Sequence, residues 1–257
     1  MARKLSWTLG DENDVEPYTG DKPPGVRRIG PEDLDVVFQP IVDLRTRKQL
    51  AVEALTRCRL PQYSSPVTLF QQASLAGSCG RLGRAIRDVT FDRCAGIPVF
   101  VNVHPDELSA RWLVRPDDPI CFHDARVYIE VTESAAFEYF DLVAGALREV
   151  TARTGAFTVI DDFGAGYSNL KRISDLEPDI VKLDRLLIRG LPDSRRQRVL
   201  VRGVIELCVD IGAEVVAEGI ETEDELRAVI DVGAQYGQGY LLAKPGYPIP
   251  EIRWPWP

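Results

Sequence analysis

The sequence contains few cysteines and histidines, and this scarcity argues against several kinds of site. The five cysteines form no Cys-x-x-Cys pair and are odd in number. That pattern argues against a disulfide framework and against a zinc site built of thiolates. The two histidines, His104 and His123, cannot build a histidine-rich metal site, and we expect both to have structural roles.

Positive charge is also in deficit, because 39 acidic residues face 31 basic ones and the net charge is −8. A chain with this charge gives no sign of the positively charged surface that non-specific binding to DNA or RNA requires. It also lacks a signal-peptide pattern and an apolar run of transmembrane length, so we expect a cytoplasmic protein without a membrane role. A small anionic ligand stays compatible with this charge if cations are concentrated locally.

The two ends of the chain show no periodicity. Residues 1–33 are polar and rich in glycine and proline, which predicts a flexible N-terminal arm. The folded part is expected to span 34–250, followed by a proline-rich C-terminal tail over 251–257. The length of 257 residues fits a single α/β barrel.

Between these ends, short apolar runs alternate with helical patterns. Helices are predicted after Ser65, over 194–212 and from Thr222, which is spaced from Glu225 as in a capping box. The alternation implies parallel strands, and eight runs favour a closed (β/α)8 barrel over the alternative, a doubly wound open sheet. The runs are 36–44, 50–57, 97–104, 126–133, 157–163, 179–185, 213–220 and 236–243.

Most of these runs carry a strongly polar residue near the carboxyl end. In VFVNVH, Asn102 shares a face with Phe100 because side chains alternate along a strand. The β-branched face is expected to pack on helices. The polar face is expected to point into the barrel, whose C-terminal mouth is where active sites form. The residues expected to converge there are Glu53, Asn102, Glu130, Asp161, Asp162, Lys182 and Glu218.

The stretch VIDDFGAGYS places two adjacent acids, Asp161 and Asp162, at the end of a run. Neighbouring side chains of a strand point to opposite faces. We therefore predict that Asp161 points inward and that Asp162 leaves the pleat, where Gly164 and Gly166 allow a turn.

Each polar residue alone could be a solvated strand end or a local cap. Their coincidence on six strands favours a metal site, because so many anions are costly to pack together without cations. Oxygen ligands favour Mg2+ or Mn2+, and five carboxylates with one amide are enough for two ions.

These residues lie in segments that resemble, in order and spacing, the signature segments of EAL-domain cyclic di-GMP phosphodiesterases. The segments run from about Val37 to Pro245 and are VEALTR, VNVHP, IEVTE, IDDFGAGYSNL, VKLDR, VVAEGIET and QGYLLAKP. The resemblance implies a modified TIM barrel whose first strand is antiparallel to the rest. It also implies a bacterial signalling enzyme, a homodimer with two Mg2+ or Mn2+ ions, that hydrolyses cyclic di-GMP to linear 5′-pGpG.

The resemblance further implies roles for individual residues. Lys182 would act beside the attacking water and stabilise charge on the phosphoryl oxygens. Arg57 would clamp a substrate phosphate, and Glu133 would anchor the DFGAGYS loop, which couples dimerisation to metal binding in this family. The implied metal ligands are Glu53, Asn102, Glu130, Asp161, Asp162 and Glu218, of which the last three are also expected to be catalytic with Lys182. Further substrate contacts are expected from Gln39, Leu55, Glu221, Gln238 and Pro245.

The chain departs from the family pattern at His104, which stands where a small serine is usual. This histidine could crowd the mouth of the barrel or point aside. Two other functions stay open at this level. One is a non-catalytic cyclic di-GMP receptor that acts through a protein partner, and the other is a metal-dependent hydrolase of a different phosphodiester.

Overall fold

The computed structural model describes residues 25–109, 112–113, 115–133, 140–164 and 170–256, which form a closed eight-stranded barrel. The barrel confirms the predicted modified TIM fold and excludes the open sheet. Neighbours in the barrel follow the order of the chain. The strands are β1 (Leu34–Asp43), β2 (Gln49–Cys58), β3 (Val99–Asn102), β4 (Val127–Thr132), β5 (Phe157–Phe163), β6 (Ile180–Leu183), β7 (Glu214–Ala217) and β8 (Tyr236–Gly237).

The first strand differs in direction from the others, as the resemblance implied. Strand β1 is antiparallel to both β2 and β8, whereas every pair from β2 to β8 is parallel. The connection over 44–48 is too short for a parallel crossover, which needs a dozen or more residues. A hairpin therefore starts the barrel, and Gln39 lies opposite Glu53 in its register.

Helices surround the barrel. Pro66 begins α1, and Ser194 and Thr222 cap α7 and α8 through their side chains, in agreement with the predicted helix starts. Glu225 completes the predicted capping box at Thr222. The helices are α1 (Pro66–Leu75), α2 (Cys79–Arg93), α3 (Pro105–Ser109), α4 (Phe140–Thr154), α5 (Leu170–Leu176), α6 (Arg185–Ile188), α7 (Arg195–Asp210) and α8 (Glu223–Val232). Within the described ranges, no helix combines the length and the apolar character needed to cross a membrane.

The predicted strand over 236–243 is wrong beyond its first two residues. Only Tyr236 and Gly237 pair as a strand. The chain then turns, because the backbone N–H groups of Leu242 and Ala243 both donate to the carbonyl of Gly239. An added Cβ at Gly239 would lie 2.1 Å from the carbonyl oxygen of Ile220, so this close backbone approach requires glycine.

Parts of both predicted terminal segments contact the barrel. Residues 25–33 form two short 3-10 turns, and Val26 and Ile29 are buried against α1 and α2. The remainder of the predicted arm, 1–24, lies outside the described residues. In the C-terminal segment, Trp254 and Trp256 pack on the apolar cluster beneath α7 and α8. Apolar side chains in otherwise polar segments explain this packing.

One layer of apolar side chains fills the interior of the barrel, and each strand contributes one member. Burial of these side chains excludes water from the centre of the barrel. Their packing also supports the next layer of inward-pointing side chains, nearer the mouth. The members are Ile41, Ala51, Phe100, Tyr128, Val159, Ile180, Val216 and Tyr236.

Candidate active site

A polar layer lies directly above the apolar one. Each strand, or the residue that follows it, contributes the side chain two positions nearer the mouth, and the pleat returns that side chain to the interior. The inward direction predicted from alternation is therefore what the structure shows. The members are Gln39, Glu53, Asn102, Glu130, Asp161, Lys182, Glu218 and Gln238.

Lys182 is the centre of this layer and is fully buried. Its Nζ atom lies 2.6 Å from Glu218 Oε1 and 2.7 Å from Glu130 Oε1. Asp161 Oδ1 and Glu53 Oε2 are slightly farther, at 3.2 and 3.5 Å. Burial alone would lower the pKa of Lys182, but the surrounding carboxylates outweigh burial and raise this pKa well above its ordinary value. The lysine therefore stays cationic at neutral pH.

The carboxylates outnumber this one cation. Burial raises the pKa of Glu130 well above its ordinary value, and Glu53 and Asp161 add to the effect while Lys182 opposes it. Burial likewise raises the pKa of Glu218 to about 8, although the adjacent Lys182 acts in the opposite direction. Carboxyl groups with pKa values raised in this way either keep their protons or need additional cations nearby in order to ionise.

The donor atoms of the layer fit a divalent cation. Asp161, Asp162 and Glu218 each offer a carboxylate oxygen, and these oxygens lie within 4.8 Å of one another. Asp161 Oδ1 and Glu130 Oε1 are buried and make no well-directed hydrogen bond to the described residues, although both contact Lys182 Nζ. An all-oxygen set with incompletely satisfied acceptors is the chemistry that Mg2+, Mn2+ or Ca2+ prefers.

Amide side chains hold the carboxylates in place. Asn102 Nδ2 donates to Glu130 Oε2 at 2.9 Å, and Gln238 Nε2 donates to Glu53 Oε2 at 2.7 Å. Gln39 is fixed in turn by a bond from its Nε2 to the carbonyl of Ala243. If Asn102 is to present Oδ1 to a cation, its amide must exchange the positions of nitrogen and oxygen.

Asp162 leaves the pleat as the sequence predicts. Its φ is +58°, and the register of β5 with β6 shifts between Ile160 and Phe163. This left-handed conformation turns the exposed carboxylate toward the mouth, where it lines the same cavity as Glu218. The pKa of Asp162 is raised, mainly because the rim removes part of its hydration. Repulsion from Asp161 makes a smaller contribution in the same direction.

The variant Asp162→Asn is expected to separate backbone geometry from charge. Asparagine tolerates positive φ as well as aspartate does, so the loop should keep its path. Loss of repulsion from Asp161 should increase the free energy of unfolding of the metal-free protein by about 0.5 kcal/mol. If Asp162 is a metal ligand, as the resemblance implies, metal-dependent turnover of cyclic di-GMP should fall by at least about tenfold. Thermal unfolding and a turnover assay check both changes, and turnover equal to the parent would contradict the role of this carboxylate.

A cavity of about 330 Å³ opens above the polar layer. Glu221, for which a substrate contact is expected, lines it. Arg185 and Tyr240 also line it, and neither residue was predicted from the sequence as part of the site. Both follow predicted site residues at strand ends, in VKLDR and QGY, which is the signal that could have identified them. Tyr240 is 57% exposed, so its ring is available to a ligand.

Some predicted substrate contacts do not line this cavity. Leu55, Arg57 and Pro245 are absent from its wall. The guanidinium of Arg57 donates to the carbonyl of Thr56 at 2.8 Å. Their part in substrate binding stays a prediction.

Glu133 occupies the position expected of a loop anchor. It is buried, and its Oε2 accepts a hydrogen bond of 3.1 Å from the backbone N–H of Gly164. Gly164 has a φ of +98°, which favours glycine, and it is the residue that follows β5. The bond therefore ties the end of β4 to the exit of β5, immediately after Asp161 and Asp162. Residues 165–169 of the predicted loop, including Gly166, lie outside the described residues.

The histidines do not join the acidic layer. His104 points aside and stacks on Phe70, with ring centroids 5.8 Å apart. His123 stacks on Phe91 and contacts the carbonyl of Ile97 through Nε2.

Fold and site together define a modified TIM barrel with an acidic, oxygen-rich pocket at the carboxyl ends of its strands. The sequence model of the EAL domain family matches residues 27–245, and the chain belongs to this family.

Relatives and solved structures agree with this membership. A cyclic di-GMP phosphodiesterase of Pseudomonas aeruginosa is 32% identical, and the alignment covers 86% of this chain and 40% of the relative. An uncharacterized protein of Azorhizobium caulinodans is 33% identical, over 82% of this chain and 31% of the relative. The chain thus spans well under half of these curated relatives.

Among solved structures, Klebsiella pneumoniae BlrP1 in complex with calcium and cyclic di-GMP is 28% identical and superposes with a TM-score of 0.77. That comparison covers 90% of this chain and 60% of the other. A manganese and cyclic di-GMP complex of the same protein is 30% identical, with a TM-score of 0.73 over 83% of this chain and 56% of the other. This structural neighbour therefore binds a divalent metal ion, calcium or manganese, together with the cyclic dinucleotide.

Proposed function

We propose that this chain hydrolyses cyclic di-GMP to linear 5′-pGpG with two Mg2+ or Mn2+ ions. The observation that carries the proposal is the ring of carboxylates around the buried ammonium group of Lys182, at the mouth of an EAL barrel. Relatives named as cyclic di-GMP phosphodiesterases support the substrate. The receptor alternative has no comparable support, because all six side chains that the resemblance implies as metal ligands are present in the polar layer or at its rim.

The ions would be held by the oxygen atoms of the polar layer and its rim. Bound there, such ions would lower the pKa of the attacking water and neutralise charge on the phosphoryl group. Gln238 keeps Glu53 oriented through its 2.7 Å hydrogen bond, and Glu133 fixes the backbone beyond Asp162 through Gly164. The proposed ligands are Glu53, Asn102, Glu130, Asp161, Asp162 and Glu218.

Lys182 would act as a fixed cation. In the metal-free layer the surrounding carboxylates raise the pKa of Lys182 and keep the proton on Nζ. A cation held 2.6 to 3.5 Å from four carboxylates can stabilise negative charge that develops on a phosphoryl oxygen. It also keeps the ligand carboxylates close enough to share ions.

The cavity rim would position the dinucleotide. Tyr240 offers an exposed aromatic face on which a base can stack, and Arg185 offers a guanidinium group that can contact a phosphate. The Glu221 carboxylate can accept hydrogen bonds from the N–H groups of a guanine edge. The proposed active form is a homodimer, as the resemblance implies, which sedimentation analysis would test.

The proposal is tested by separating the products that the purified chain forms from cyclic di-GMP and Mg2+. The parent should yield linear dinucleotide. Turnover by Asp161→Asn should be about 10²- to 10⁴-fold lower, because a central ligand oxygen is replaced. Asp175→Asn is the matched control, since this aspartate is exposed and pairs with Lys171 on α5, away from the acidic layer. Cyclic di-GMP that is bound and recovered intact from the parent would favour a receptor. Faster turnover of another phosphodiester would favour a different hydrolase.

A further inference from the structure

A second cluster of metal-ligating side chains lies outside the acidic layer. It contains Cys79 at the start of α2, together with His104, which follows β3, and Asp106 in the first turn of α3. Residues this far apart in sequence meet only because the segment after β3 packs against the turn between α1 and α2. Nothing in the proposed hydrolysis uses these three side chains.

The geometry of the cluster is close to that of a tetrahedral metal centre. Asp106 Oδ2 lies 3.7 Å from Cys79 Sγ and 3.6 Å from His104 Nδ1. One ligand atom from each of the three residues lies within 4.8 Å of the others. Ordinary zinc bond lengths to sulfur, nitrogen and oxygen place tetrahedral ligand atoms roughly 3.4 to 3.6 Å apart. The distances from Asp106 to Cys79 and to His104 therefore fit, and the distance between Cys79 and His104 must shorten by no more than about 1.4 Å.

The neighbouring residues hold the ligands toward one another. Ser74 Oγ donates to the same oxygen of Asp106 at 2.6 Å. The backbone N–H of His104 donates to Glu107 Oε1 at 3.1 Å, and Arg87 fixes Glu107 with a buried ion pair of 2.7 Å. Phe70 supports the imidazole face. Supported ligands of this kind are typical of metal centres, where a second set of contacts orients the first.

We propose that Cys79, His104 and Asp106 bind a transition metal of the zinc class through one thiolate, one imidazole and one carboxylate. A sulfur ligand excludes the hard cations expected in the acidic layer and favours zinc, cobalt or nickel. The side chains of His104 and Asp106 are 30% and 47% exposed, so an ion and a completing water molecule can reach the site. Ser74 is the alternative fourth ligand.

Binding would be coupled to the release of a proton. Burial, with smaller contributions from Asp106 and Glu107, raises the pKa of Cys79 to about 12, so the free thiol keeps its proton at neutral pH. On metal binding the S–H bond breaks, a metal–sulfur bond forms, and the proton leaves to solvent. Coordination through Nδ1 of His104 also displaces the hydrogen bond that this atom accepts from the backbone N–H of Asp106.

Occupancy would join α2 to the segment after β3. His104 follows Asn102 by two residues, so a metal bound here would also fix the backbone at the edge of the acidic layer. The scattered cysteines argue against a zinc site of several thiolates, and this centre has only one thiolate. Its single cysteine and the unrelated positions of its ligands leave no spacing motif in the sequence.

Cobalt(II) is the probe that tests the site on the full chain, with Mg2+ present in excess to fill the acidic layer. Thiolate ligation gives an intense sulfur-to-cobalt charge-transfer absorption in the near ultraviolet, which oxygen ligands do not produce. The parent should show this absorption at one cobalt per chain, and Cys79→Ser and His104→Ser should lose most of it. Cys58→Ser should retain it, because this half-buried cysteine lies outside the cluster.

The absence of charge-transfer absorption in the parent would overturn the proposal, and so would its persistence in Cys79→Ser. Folding of each variant is checked by its circular dichroism spectrum, and the partly exposed His104 supplies the second variant if Cys79→Ser does not fold. Asp161→Asn should keep the absorption even if it abolishes turnover. The outcome for this centre is therefore independent of the proposed hydrolysis.

Discussion

Replacing Lys182 with methionine is expected to lower turnover of cyclic di-GMP by about 10² to 10⁴. Methionine keeps the unbranched shape of the side chain and removes only the ammonium group. In the proposed reaction, the transition state then loses a fully buried cation that would stabilise charge on a phosphoryl oxygen. Turnover measured at saturating Mg2+ checks this expectation.

Affinity for the metal should change in the opposite direction. Without the ammonium group, the four carboxylates that contact Lys182 lose their only neighbouring cation in the layer. A divalent ion should therefore bind about tenfold or more tightly, because a unit charge about 4 Å away is worth several kcal/mol at an effective dielectric constant of about 20. Titration calorimetry with Mn2+ measures the change.

The combination of slower turnover and tighter metal binding distinguishes a charge effect from collapse of the site. A collapsed site would lose both. Lys171→Met is the matched control, because the Lys171 side chain is 82% exposed and pairs with Asp175 on the surface of α5. Turnover of Lys182→Met within twofold of the parent would show that this ammonium group has no part in the reaction.

Replacing Arg87 with methionine is expected to reduce the free energy of unfolding by about 3 to 5 kcal/mol. The guanidinium of Arg87 is buried and donates to both oxygens of Asp118, at 3.0 and 2.7 Å, and to Glu107 at 2.7 Å. Burial would lower the pKa of Arg87, but the two carboxylates outweigh burial and raise it. Removal of the cation leaves two buried anions without compensation.

Arg84 offers a matched control on the same helix. It pairs with Asp117, whose side chain is 60% exposed, so Arg84→Met should cost less than about 1 kcal/mol. A triple variant with Arg87→Met, Glu107→Gln and Asp118→Asn should recover much of the loss, since it removes the uncompensated charges. Denaturant unfolding of these three variants and of the parent measures the differences in stability. Equal losses for Arg87→Met and Arg84→Met would show that burial of the network contributes little.

The acidic layer was predictable because strand alternation is a local rule. Glu130 and Lys182 each lie two residues beyond an apolar residue that fills the barrel, and that spacing fixes their direction once a strand exists. Asp162 was predictable for a related reason, since adjacent carboxylates can share a site only where the pleat ends. The antiparallel first strand was implied by the resemblance. The short connection over 44–48 was an independent signal for it.

Other features could not be read from local pattern. Arg87 occurs in a helix with several charged residues, and periodicity alone does not tell a buried ion network from a solvated face. The end of β8 depends on the contact between Gly239 and the backbone of Ile220, which belong to different segments. Arg185 and Tyr240 reach the cavity only through the turns that follow their strands.

The sequence by itself determined the inward direction of the polar residues and the acidic character of the mouth, because both follow from the order of residues along single strands. It favoured a barrel through the number of its alternating runs, and the structure decided that the sheet closes. Only the tertiary structure decided which charges are neighbours. It placed four carboxylates around Lys182, paired Arg87 with Glu107 and Asp118, and brought Cys79 to His104 and Asp106. Distances between groups on different elements depend on how closed strands and helices pack, and no local sequence pattern contains them.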